Sequence, residues 1–142
     1  MRYLLDTNVV CEPTAAAPNP RVLAWIGRQD WRDIFVSVVT LAEIAEGVAR
    51  LPAGRRRDRL DVWRRELIES LDDRILLLDE QIAGTWGALR ARLAAEHRTI
   101  GPMDAFIAAT AQNHGLTLVT RNERHFTAWG GPVLNPWMES VA

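Results

Sequence analysis

The spacing of apolar residues changes repeatedly along the chain, and each change marks an element. Tyr3-Leu4-Leu5 is a short unbroken apolar run, which predicts a strand buried in a sheet. Asp6, Thr7 and Asn8 interrupt it before Val9-Val10, the start of a short helix that Pro13 stops at about Glu12. Thr14 to Asn19 is a loop, and Pro20 suits the first turn of a helix whose apolar side is Val22, Leu23, Trp25 and Ile26. Ile34-Phe35-Val36 predicts a second strand, and Ser37 is a good cap for the helix that continues to about Leu51. On that helix Leu41, Ile44, Ala45 and Val48 share one face, and Glu43, Glu46, Gly47 and Arg50 another.

Pro52 to Arg59 predicts a turn carrying an arginine cluster, followed by a long amphipathic helix with Leu60, Trp63, Leu67 and Leu71 in line. Ile75 to Leu78 predicts a third strand. Asp79 caps the next helix, which turns Ile82, Trp86, Leu89 and Leu93 inward. His97 to Gly101 connects to a helix that starts at Gly101-Pro102, carries Asp104 in its first turn and ends at Gly115. Leu116 to Val119 is a fourth strand, which Thr120-Arg121-Asn122 leave at its carboxyl end. Trp129 to Gly131 is a turn, and Val133-Leu134 a short fifth strand. Alternating strands and helices specify an α/β fold, a parallel sheet of four to five strands with helices on both faces.

At 142 residues this is one domain, residues 1–142, long enough to bury a real core. The formal charge is −1, so any nucleic-acid contact must come from a local patch. All 17 basic residues are arginine, which excludes any mechanism that requires lysine. Cys11 is alone, which excludes a disulfide framework and a thiol metal site. No signal peptide and no membrane-length apolar run is present, so the expectation is a cytoplasmic protein without membrane contact.

Acids supply the candidate chemistry. Asp6 stands at the carboxyl end of a buried strand, where open α/β sheets bind ligands; it is also well placed simply to cap the next helix. Asp104 lies in line with Ile107, Ala108 and Ala111, which puts it at the edge of the core, where an uncompensated charge is costly. The plainer reading is a first-turn acid favoured by the helix dipole. For Glu43 the plainer reading is a solvated face on which Glu46 pairs with Arg50. If the sheet is built as expected, Asp6, Glu43 and Asp104 converge at one edge. Two carboxylates about 4 Å apart repel by about 4 kcal/mol at an effective dielectric of 20. A hard divalent cation such as Mg²⁺ resolves that conflict and activates water toward a phosphate ester.

Four stretches in this order, LLDTNVV, SVVTLAEIAEGVARL, MDAFIAATA and LVTRNERHF, carry a resemblance over nearly the whole chain. It resembles PIN-domain proteins, in particular the VapC-type toxins of bacterial toxin–antitoxin pairs and their FitB-like relatives. The resemblance implies a PIN-like fold and a Mg²⁺- or Mn²⁺-dependent endoribonuclease acting on RNA such as tRNA or rRNA. By resemblance Asp6, Glu43 and Asp104 bind the metal, and with Asn122 they form the catalytic set. Thr120 and Asn122 complete the polar side of the site, and Asn8 orients Asp6. The family further implies a homodimer and a VapB-type antitoxin, through which alone the toxin meets DNA. Its carboxyl-terminal segment wraps the toxin and often sends an arginine to the acids.

One position departs from the pattern. FitB-like members commonly carry an acid three residues after the TRN asparagine, where this chain has His125. The expectation is a surface residue at the pocket rim; as a ligand, imidazole would tolerate Mn²⁺ better than Mg²⁺. Arg121 and Arg124 are candidate phosphate contacts, with Arg55, Arg56, Arg57 and Arg59 as a further basic cluster or merely a solvated helix start. Trp25 and Trp63 fall on the helices that form the antitoxin groove in VapC-type proteins, or they pack the core. Dehalogenase-like phosphatases and receiver domains need the lysine this chain lacks. The remaining alternative is a degenerate PIN domain that binds its antitoxin for regulation with little nuclease activity, which His125 keeps open.

Overall fold

The computed structural model describes residues 1–138. Among them, five strands form one sheet in the order β3-β2-β1-β4-β5, every neighbouring pair parallel. β1 is Tyr3–Leu5, β2 Ile34–Ser37, β3 Ile75–Leu76, β4 Thr117–Val119 and β5 Val133–Leu134. Leu4 pairs with Phe35 on one side and Leu118 on the other, and Leu118 with Val133. Successive strand residues face opposite ways. Leu4, Leu118, Phe35 and Val133 therefore share one core cluster, and Leu5, Val119, Ile34 and Val36 the other.

Both faces are covered, as a parallel sheet requires. The first is packed by Leu89 and Leu93 of α5 (Glu80–Ala95), Ile107, Ala108 and Ala111 of α6 (Pro102–His114), and Phe126 of α7 (Glu123–Phe126). The second is packed by Val9 and Val10 of α1 (Thr7–Cys11), Val22 and Trp25 of α2 (Pro20–Arg28), Ile44 and Val48 of α3 (Val38–Ala49), and Leu71 of α4 (Arg55–Leu71). The caps follow the sequence. Ser37 accepts from the Val39 amide, Asp79 from that of Ile82 and Asn19 from that of Arg21.

Several details differ from the expectation. α1 ends at Cys11, and Pro13 sits inside a 3₁₀ turn, Glu12–Thr14, because a first-turn proline forfeits no needed donor. β3 closes after Leu76; Leu77, 67% exposed, has left the sheet. The arginine cluster is not a turn, since Arg55 already begins α4. α7 was not expected. Four residues are too few to show a helical period, yet Phe126 anchors them in the core at 1% exposure. Trp25, 3% exposed, stacks edge-on against Tyr3 at 5.0 Å and is a core residue, not part of a groove.

Two glycines give opposite predictions. Gly115 closes α6 at φ 63°, so Gly115→Ala should lower stability by about 1 kcal/mol. Gly84 lies inside α5 with open space where a Cβ would go, so Gly84→Ala should raise stability by about 0.5–1 kcal/mol. Denaturant melts of the two variants beside the wild type measure both signs.

Candidate active site

The chain runs outward from β1 through β2 to β3, then returns to place β4 on the other side of β1. That reversal opens a crevice between the carboxyl ends of β1 and β4, the usual ligand position in an open α/β sheet. Asp6 follows β1 directly and Thr120 follows β4, and the two side chains meet there. Thr120 Oγ1 donates to Asp6 Oδ2 at 2.8 Å.

Asp6 is both helix cap and site residue. Its Oδ1 accepts from the Thr7 amide at 2.8 Å, and its Oδ2 also accepts from Asn8 Nδ2 at 3.3 Å. Asn8 in turn reaches Thr120 Oγ1 at 3.4 Å and accepts the Arg121 amide at 3.1 Å. The Asn122 amide donates to Thr120 Oγ1 at 3.0 Å. This network holds a carboxylate only 6% exposed, and nothing in it is cationic. Burial of such a charge is tolerable only because several donors satisfy it.

Glu43, on α3, and Asp104, in the first turn of α6, are partly buried and close enough to Asp6 to feel its charge. Burial pushes the Glu43 carboxyl above its usual range, and the charges of Asp6 and Asp104 push it further; the Thr7 hydroxyl pulls the other way. Asp104 is also pushed up, mainly by burial and then by Asp6, with His125 opposing. His125 Nδ1 lies 3.2 Å from Asp104 Oδ2. His125 stands at the surface beside the pocket rim, as expected. Although 57% of its side chain is exposed, it bonds one of the acids.

Other expected residues are distributed unevenly. Asn8 and Thr120 are in the network. Asn122 contributes its backbone amide and does not cap α7 with its side chain. Arg121 lays its guanidinium over Trp137 at 5.4 Å, and Arg124 is exposed on α7. The plain reading of Glu46 holds, with Arg50 2.6 Å away on the solvated face, and it does not extend to Glu43. Thr7 was passed over as a site residue. Its buried hydroxyl has no well-formed hydrogen bond, and its only signal in sequence is adjacency to Asp6. The Cys11 thiol, pushed up to about 11 by burial and by Glu43, is no nucleophile at neutral pH.

Beside the acids runs a groove of about 240 Å³, lined by Thr7, Cys11, Glu43, Gly47, Arg56 and Trp63 among others. Trp63 both packs against the core and borders this groove, and Arg56 brings the arginine cluster into the same cleft as Glu43.

Among the described residues, no three His, Cys, Asp or Glu side chains form a ready-made metal cage. The donor set nonetheless fits a hard divalent ion. Mg²⁺ takes only one or two protein carboxylates and keeps its waters. Here two carboxylates are held above their usual range by burial and by other acids, and a buried hydroxyl beside them lacks a good partner. Asp6, Glu43 and Asp104 are the residues that could hold such an ion.

Known proteins of the same build are readily found. The chain is 37% identical over 135 residues to Toxin FitB of Neisseria gonorrhoeae, covering 94% of this chain and 97% of that one. It is 38% identical over 138 residues to VapC ribonuclease Y4jK of Sinorhizobium fredii, covering 94% and 96%. The solved structure of FitAB bound to the IR36 DNA fragment superposes with a TM-score of 0.92 at 35% identity, covering 99% of each chain. The family model for the PIN domain matches residues 3–129. With that match spanning nearly all of the sheet and the whole acidic crevice, the chain belongs to the PIN-domain family.

Proposed function

We propose that the protein is a Mg²⁺- or Mn²⁺-dependent endoribonuclease, the toxin of a type II toxin–antitoxin pair. The observation that carries this reading is the acid pit at the β1/β4 switch point. There Asp6 is pinned by Thr120 and Asn8, while Glu43 and Asp104 are raised by burial and by the neighbouring acids. A divalent ion bound there would acidify a water and offset charge on a phosphoryl oxygen.

The chain's own residues then have separable roles. The hydrogen bonds on Asp6 fix its rotamer before any substrate arrives. Thr120 and Asn8 hold that geometry, and the Asn122 amide holds Thr120. Arg55, Arg56, Arg57 and Arg59 stand in the first turns of α4, where the helix dipole disfavours cations. That arrangement is costly for folding but suits a phosphate backbone entering the groove beside Glu43. Arg124 extends the basic rim, while Arg121 is spent partly on Trp137.

The partner reading follows the family. FitB, the structural relative, is found in the FitAB complex on DNA, which supports a VapB-type antitoxin and only indirect DNA contact here. A homodimer and a tRNA or rRNA target belong to the same reading. No helix among the described residues is long and apolar enough to cross a membrane, and a cytoplasmic location fits the RNA substrate.

Purified protein should cut RNA only with Mg²⁺ or Mn²⁺ present, and a chelator should abolish the activity. Asp6→Asn and Asp104→Asn should each reduce cleavage by about 100-fold or more, and Asn8→Ala by about 10–100-fold. Mapping new RNA 5′ ends checks this; equal cleavage by wild type and variants would remove the nuclease reading. The crowding of charge also has a pH signature. The folded-state pKa of Glu43 lies above its ordinary 4.5, so the folded state binds more protons in that window. Stability from this group therefore falls as pH rises through the window, and the loss is complete above the raised pKa. Metal-free Glu43→Gln should melt above the wild type at pH 7, and the advantage should vanish below about pH 4. Thermal melts across pH measure this.

A further inference from the structure

We propose that His125 donates Nδ1 to the same divalent ion as Asp104, which turns the site from Mg²⁺ toward transition metals such as Mn²⁺. The inference rests on the metal-dependent reading above. It starts from a distance. Nδ1 of His125 and Oδ2 of Asp104 are 3.2 Å apart. Two adjacent donors on an octahedral ion with bonds of about 2.1 Å stand about 3 Å apart. The pair therefore needs little movement to share one ion, once the ring carries its proton on Nε2.

The backbone that carries the ring is also held in place by construction. The His125 amide donates to the Asn122 carbonyl at 3.0 Å, and the next residue, Phe126, is locked in the core. The network that pins Asp6 reaches α7 through the Asn122 amide on Thr120. No other acid of α7 supplies that corner. Glu123 accepts from Asn135 Nδ2 at 3.1 Å. The group that α7 sets beside Asp104 is thus a ring nitrogen. Mg²⁺ takes oxygen donors, whereas imidazole suits first-row transition metals.

The test uses the intact purified protein, with Mn²⁺ and Mg²⁺ as probes. Electron spin-echo spectra of bound Mn²⁺ should show nitrogen modulation in the wild type and lose it in His125→Asp, which still binds the ion. Calorimetry should show the preference for Mn²⁺ over Mg²⁺ falling about tenfold in His125→Asp, with His125→Asn weakening Mn²⁺ while leaving the melting temperature of the metal-free protein close to wild type. Bound Mn²⁺ without nitrogen modulation, or an unchanged preference in His125→Asp, overturns the role of His125 and leaves the metal reading standing. A folded wild type that binds neither ion overturns both.

Discussion

A buried carboxylate held in place by neutral donors is the constraint on which the rest of this structure turns. Asp6 has almost no solvent and no cation in its hydrogen-bond shell; a backbone amide, a carboxamide and a hydroxyl hold it instead. Those donors come from both ends of the chain, so the site exists only when β1 and β4 lie side by side. The central place of β1 in the sheet, the return crossing to β4 and the coverage of both faces all serve that adjacency. Glu43 and Asp104 are then brought up against Asp6 by helices whose apolar faces are fixed in the two cores.

The electrostatics of the pit follow from that packing. Neutral donors can satisfy the oxygens of one carboxylate, but they cannot cancel the field of three. Glu43 gains only the Thr7 hydroxyl, and Asp104 only the exposed ring of His125. The folded protein therefore stores unfavourable charge at the place where a doubly charged ion and a phosphate are expected to meet. Destabilised local arrangements of this kind are common where function and stability compete.

Much of this was legible in the chain. Strand-end acids, helix caps and a two-sided apolar pattern identify the sheet and the acids together, because each rests on a short local rule. Ser37, Asp79 and Gly115 do in space what their residue types suggest. What escaped was set by tertiary context. α7 has too few residues for a period, and its existence depends on Phe126 finding the core. The arginines after Gly54 were expected in a turn that Pro52 and Gly54 suggest, with a solvated helix start as the alternative, and α4 begins there. The contact of His125 with Asp104 joins residues from two elements, and no spacing rule foretells it. The same holds for the buried Thr7 hydroxyl beside Glu43. Trp25 and Trp63 show the limit from the other side: the same residue type on two helices has one ring in the core and the other along a groove.

The hydrogen bond from Thr120 to Asp6 spans 114 residues of sequence. Chains whose key pairings are so distant fold only after most of their length is available. During synthesis, β1 is made before β4 and must wait, unpaired on that side, until the fourth strand emerges. An unfinished chain lacks Thr120, the Asn122 amide and α7, and so cannot assemble the pit. For a protein with the proposed activity, this topology delays any harm to the cell's own RNA until β4 and α7 have both been made.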